Sequence, residues 1–161
     1  ARAGVTRGAL FHHFAGLSAL LAATLDEICT SMVVRGREAA AARDPRNLLS
    51  GYIDTAWSNF GHPDFKIIIE VWLAARNDPA LRGELAPVIQ RFRALMSPEL
   101  NADLAMMVGR SEKNIAFYRL ILEAMIGMAL GRAVSPDGNP MGHEEAVVGL
   151  LKDIASGIEK G

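Results

Sequence analysis

The chain has a single cysteine, Cys29, in 161 residues. No disulfide framework can brace it, and a reducing cytoplasm is the expected compartment. There are only four histidines. His12 and His13 are adjacent, so on a helix they diverge by about 100° and cannot readily share an ion; His62 and His143 stand alone. The sequence has no H-E-x-x-H, no Cys/His cluster, no G-x-S-x-G elbow, no phosphate-binding glycine loop and no dinucleotide fingerprint. No catalytic residue set, metal or cofactor is therefore expected, and an enzyme is not the expected class. Uninterrupted apolar runs of about 18 residues are missing, which argues against a membrane span. No charged segment followed by an apolar core marks a signal peptide. Charge of one sign is not in excess: 17 Lys and Arg face 18 Asp and Glu, for a net charge of −1. A globally basic nucleic-acid binder is thereby excluded.

What is abundant is apolar side chain, half of the composition, enough for one large helical domain plus a fragment. Alternation with period two is absent, as are internal repeats, and the fold class is all-α. Leu17, Leu20, Leu21, Leu25, Ile28, Met32 and Val33 recur at helical spacing within a helix expected over 18–42. Asp44-Pro45 stops it and opens the next, which runs to about Phe60. A nearly all-round apolar helix follows from Asp64 to about Arg76, then one from Pro79 to about Met96, with Pro87 expected to kink it or fall near its start. Ser111 is placed as the N-cap of a helix reaching about Val134. The Ser135–Pro140 stretch is a loop, and a last helix spans about 142–159.

The most specific pattern lies at the start: Gly4-Val5-Thr6-Arg7-Gly8-Ala9-Leu10-Phe11-His12-His13-Phe14. Gly4 gives a tight inter-helix turn its backbone freedom. Thr6 is a good N-cap, and Leu10 and Phe14, four apart, share a buried face. Arg7, Gly8, Phe11 and His12 point the other way, a face suited to a DNA groove. Residues 1–16 carry Arg2 and Arg7 and no acid, which leaves 15 basic against 18 acidic residues in the rest. A small positive tip on a mildly acidic body fits a DNA reader joined to another domain.

About twenty residues from Gly4 to Leu20 resemble the recognition helix of the tetracycline-repressor (TetR) family. That helix is typically G-V-[ST]-x-x-x-[LI]-Y-x-[HY]-F, followed by a turn and a helix opening K-x-x-L. The resemblance implies a helix-turn-helix domain whose C-terminal part is residues 1–17, a connecting helix over 18–42, and a ligand-binding and dimerisation domain over 43–161. Its first helix and part of its second would lie upstream of Ala1. Arg7 would read guanine through its guanidinium fork. Gly8 and Ala9 would allow close approach, Phe11 and His12 would lie against bases or sugars, and Thr6 and His13 would contact phosphates. Two positions depart from the pattern. Phe11 replaces the usual tyrosine and loses its hydroxyl, and Leu17 replaces the usual lysine and with it a phosphate contact.

What the resemblance implies for the rest is a homodimeric regulator, usually a repressor, released from pseudo-palindromic operator DNA by a small, largely apolar effector. Trp57, Phe60, Trp72, Met96, Phe117 and Met125 are candidates to line the effector cavity, with Glu70 and Arg76 to orient its occupant. Each has a plainer reading: the large apolar residues as core, Glu70 as a solvated i,i+4 pair with Lys66, and Arg119–Glu123 as another such pair. Dimerisation is expected through about 112–134 and 142–159. Ala124, Gly127, Ala129 and Gly131 would permit close helix approach, and Val147, Val148, Leu150, Leu151, Ile154 and Ile158 give the last helix a broad apolar face. The competing reading is a helical small-molecule-binding or interaction module with weakened or lost DNA binding.

Overall fold

Apolar side chains spaced three and four apart draw the longest helix, α1 (Leu17–Ala41), into the centre of the molecule, with Ala22, Leu25, Ile28, Cys29 and Met32 buried along one stripe. The computed structural model describes residues 13–42, 47–135 and 142–159. Six further helices follow: α2 (Leu48–Phe60), α3 (Pro63–Asn77), α4 (Pro79–Leu95), α5 (Ala102–Val108), α6 (Glu112–Val134) and α7 (Glu144–Glu159). No strand occurs among the described residues, and the fold is all-α.

Local chemistry accounts for most of the helix ends. Pro63 and Pro79 occupy first-turn positions where a missing N–H costs nothing. The His62 Nδ1 accepts from the Asp64 amide, and Asp78 Oδ1 from that of Leu81 at 3.0 Å. The Ser111 Oγ accepts from the Asn114 amide at 3.1 Å, so the expected cap opens α6. Pro87 lies inside α4 without ending it. The stretch after Pro98, for which the sequence offers no clear pattern, forms the seven-residue α5, capped by Asn101. Gly109 terminates α5 at φ 81°, and a Cβ there would sit 2.8 Å from the side-chain Nδ2 of Asn114. Only glycine meets both demands. The Asp44-Pro45 break lies outside the described residues.

The helices assemble around α1. Its most extensive neighbour is α4, with α2 and α3 beside it, while α7 lies mainly on α2 and only lightly on α6. The core includes Ile53, Ile68, Leu85, Ile121 and Met125, all at 0% exposure. By length and composition alone α1 and α6 could each cross a bilayer. Yet Asp26, in the middle of α1, pairs with Arg91 of α4, and an acidic residue at a bilayer centre costs about 2.5–3.5 kcal/mol. Both helices contribute buried stripes to one shared core.

Long-range anchors hold α7 at both ends. At its end, Glu159 Oε1 accepts from the Leu49 amide at 2.6 Å and the Ser50 amide at 3.2 Å, and Oε2 accepts from the Ser50 hydroxyl. Asn47, at the N-cap position of α2, gives no side-chain bond, so this distant carboxylate does the capping. At the start of α7, Glu144 is 5% exposed and lies 3.5 Å from Arg132 Nε. The Arg132 guanidinium in turn stacks 4.4 Å from the centre of the Trp57 ring.

Glu159→Ala should therefore lower the stability of the whole protein by about 1–2 kcal/mol. In hydrogen exchange, the loss of protection should concentrate at the Leu49 and Ser50 amides, which a mere surface substitution would not touch.

Candidate functional site

Thr6, Arg7, Gly8, Ala9, Phe11 and His12, the residues expected to meet DNA, lie outside the described residues. His13 is described: it is exposed, and a bend through Phe14–Gly16 leads from it into α1. Two cavities are lined by described residues.

The larger cavity has a volume of about 500 Å³, within the range of small-molecule sites. Leu25 and Cys29 of α1 form one wall, Phe60 of α2 and Phe65, Trp72, Ala75 and Arg76 of α3 the next. Arg82, Val88, Ile89, Phe92, Arg93 and Met96 come from α4 and its end, and Leu122, Glu123 and Ile126 from α6. The lining is mainly apolar, with three guanidinium groups and one carboxylate. The Trp72 indole Nε1 is buried and has no hydrogen-bond partner. Leaving such a donor unpaired costs about 1–3 kcal/mol.

A smaller cavity of about 220 Å³ lies further along α1, walled by Met32, Val33, Gly36, Arg37 and Ala40. It is completed by α2, the end of α4 and the α5 segment, and it shares Phe60, Phe92 and Met96 with the larger one. Tyr52, on its wall, donates to the Tyr118 hydroxyl at 3.4 Å, which donates onward to the Met96 carbonyl at 3.1 Å. Burial raises the pKa of both phenols: Tyr52 well above its usual value, with the Tyr118 hydroxyl adding to the shift, and Tyr118 to about 12. The contribution of Tyr118 is present in full below pH 10 and is lost as pH rises through about 12.

Of the eight expected cavity residues, the structure brings Phe60, Trp72, Arg76 and Met96 together around the larger cavity. It does not bring the other four. Phe117 and Met125 face the core from α6, in register with Ile121 between them; bulky apolar groups at i, i+4, i+8 form a packing ridge there. Trp57 is occupied as the platform for Arg132, and Glu70 is exposed on α3. Arg119 pairs at 2.6 Å with Glu99, in the turn between α4 and α5, and not with Glu123, which faces the cavity instead. Cys29, Arg82, Arg93 and Ile126 were not anticipated. Their signal was present only in which helices meet, which α-periodicity does not encode. Among the described residues, no three His, Cys, Asp or Glu side chains form a group able to hold a metal.

Burial pushes the Cys29 thiol up to about 11 from 9.0. The neutral thiol is favoured in the folded chain, so this contribution is present below pH 9 and is lost as pH rises through about 11. At pH 8 iodoacetamide should alkylate Cys29 on the order of 100-fold more slowly in the folded protein than in the urea-unfolded chain, since only the thiolate reacts. Comparable rates, followed by mass spectrometry, would contradict the described burial.

Compared with characterised proteins, a 92-residue stretch, 56% of the chain, is 35% identical to the HTH-type transcriptional regulator CymR of Pseudomonas putida. The match takes in 45% of that protein, so it extends over less than half of the relative's length. No protein-family model matches the chain.

Proposed function

We propose that the chain is part of a ligand-responsive, DNA-binding transcriptional regulator of the TetR type, a repressor and not an enzyme. The observation that carries this reading is the 35% identity over 92 residues to an HTH-type regulator. The Gly4–Phe14 motif and the 500 Å³ cavity beside α1 also support it. Arg7, Gly8, Ala9, Phe11 and His12 would read the major groove, and Thr6 and His13 would hold phosphates.

In this mechanism a small, largely apolar effector occupies the larger cavity, between α1, α3, α4 and α6. It binds more tightly to the arrangement that does not fit DNA, because only differential affinity can shift an equilibrium. Movement of α1, whose Leu25 and Cys29 line that cavity, would change the spacing of two recognition helices, so that they no longer meet successive major grooves. A coupling of about 1–3 kcal/mol between effector and operator is typical of such proteins.

Two half-sites require two copies, and α6 with α7 provide the surface for a homodimer. Leu120, Leu130 and Val134 of α6 are exposed, as are Leu150 and Ile154 of α7. Gly127 lies exposed between the first two, where a partner helix could approach closely. Ala129, Val148 and Leu151 face the core instead and take no part in that face.

The full-length protein should shift DNA flanking its own gene in a gel at low salt. Arg7→Ala should weaken that binding by about 1–3 kcal/mol, or roughly fivefold to 150-fold. A folded dimer giving no sequence-specific shift would overturn the repressor reading and favour a helical small-molecule-binding module. Separately, Leu150→Arg should convert a dimer to a monomer in sedimentation velocity, whereas an unchanged sedimentation coefficient would remove α7 from the interface.

A further inference from the structure

The larger cavity leaves the Trp72 N–H without a partner, but the smaller cavity is built differently. Its three uncharged polar side chains, Tyr52, Asn59 and Asn101, all make hydrogen bonds within the protein. The Asn59 carboxamide accepts from Arg35 Nε at 3.1 Å and donates to the Met32 carbonyl. Asn101 donates to the Leu95 carbonyl at 2.7 Å and accepts from the Asp103 amide. The Tyr52 hydroxyl is held in the relay to Tyr118. Arg37 and Asp103, the two charged residues of the lining, form an ion pair at 4.0 Å, so the wall carries no net charge.

We infer that this smaller cavity is a second small-molecule site, distinct from the proposed effector site, and that it takes a neutral apolar compound. A charged occupant would give up its hydration to a mainly apolar wall whose two charges, Arg37 and Asp103, lie in solvent at the margin and face each other, which is unfavourable. A neutral one loses nothing by meeting a wall whose donors and acceptors are satisfied. The lining includes four methionines, Met32, Met96, Met106 and Met107, and thioethers adapt to varied apolar shapes. Met106 is 77% exposed, which places an apolar side chain in solvent at the margin of the cavity. Gly36 of α1 lies on the lining, and an added Cβ there would meet no atom within 4 Å, so a side chain at that position has room to enter the space. Glycine inside a helix is otherwise unfavourable by about 1 kcal/mol relative to alanine.

The test uses the whole protein and 1-aminoanthracene, a neutral fluorophore that brightens in dry surroundings, with anthracene-1-carboxylate as its anionic counterpart. Gly36→Leu fills the cavity from a position with room for it, and a better helix former there keeps the fold. Wild-type protein should bind 1-aminoanthracene, and Gly36→Leu should weaken that binding at least fivefold while leaving anthracene-1-carboxylate unaffected. No binding of the neutral probe overturns the inference, as does a loss of less than fivefold on Gly36→Leu or an equal loss for both probes. Should the variant fail to fold, labelled methionine methyl groups in the wild-type protein decide. Met32 and Met107 line only this cavity, and Met125 lines neither. Probe-induced shifts at Met32 and Met107 with Met125 unmoved support the site; unmoved Met32 and Met107 overturn it. None of these readouts involves DNA, so the outcome is independent of the repressor reading.

Discussion

The burial of one stripe of α1 is the constraint on which the rest of the architecture depends. Ala22, Leu25, Cys29 and Met32 lie three or four residues apart and must all leave water. Burying Leu25 alone stabilises the fold by roughly 1.5–3 kcal/mol, and three helices, α2, α3 and α4, close around the stripe to achieve it. The same helix then determines where packing fails. Leu25 and Cys29 form a wall of the larger cavity; one turn beyond Met32 the side chains shrink to Gly36 and, a turn later, Ala40, and the smaller cavity opens. Protein interiors are otherwise filled to crystal-like density, so two voids along one rod are a property of its sequence. Any occupant of either cavity acts on the same helix.

The second constraint is that α6 is apolar on opposite sides. Phe117, Tyr118, Ile121, Met125 and Ala129 face inward, while Leu120, Leu130 and Val134 face out. In most bundles the last helix would cover such an outer side. Here α7 is drawn elsewhere, held on α2 by Glu159 at its end and by Lys152, which pairs with Asp54 at 2.5 Å. The polar anchors of α7 thus leave the outer sides of α6 and α7 uncovered, which is why the proposed homodimer uses both. Burial of Glu144 against Arg132 fits this division of labour, since it secures the start of α7 without covering α6.

Much of the fold was legible because its signals are local. Ser111 and Asp78 are read from their neighbours within a turn, and each opens the helix expected of it. The burial of the Leu25–Met32 stripe follows from spacing alone. Features joining distant residues were not legible. Glu159 caps a helix 110 residues upstream, and Arg119 chooses Glu99, 20 residues away, over the i+4 partner on its own helix. The cavity was half legible for the same reason. Periodicity identifies Phe60, Trp72 and Met96 as large inward side chains, but it identifies Phe117 and Met125 equally well. Whether such a group fills space or borders it depends on what faces it from another helix.

The two cavities pose different energetic problems to a ligand, and their shared wall makes those problems interdependent. In the larger one a buried indole N–H lacks an acceptor, so a ligand that brings one recovers part of a penalty of about 1–3 kcal/mol already present in the unliganded fold. In the smaller one no such penalty exists, and affinity can come only from apolar contact, at about 25 cal/mol for each Å² removed from water. Phe60, Phe92 and Met96 border both spaces. A side chain displaced toward one cavity reduces the volume of the other, because close-packed interiors transmit displacement where a liquid would absorb it. Occupancy of the smaller cavity is thus a physical means of altering affinity at the larger, with α1 as the element that registers both.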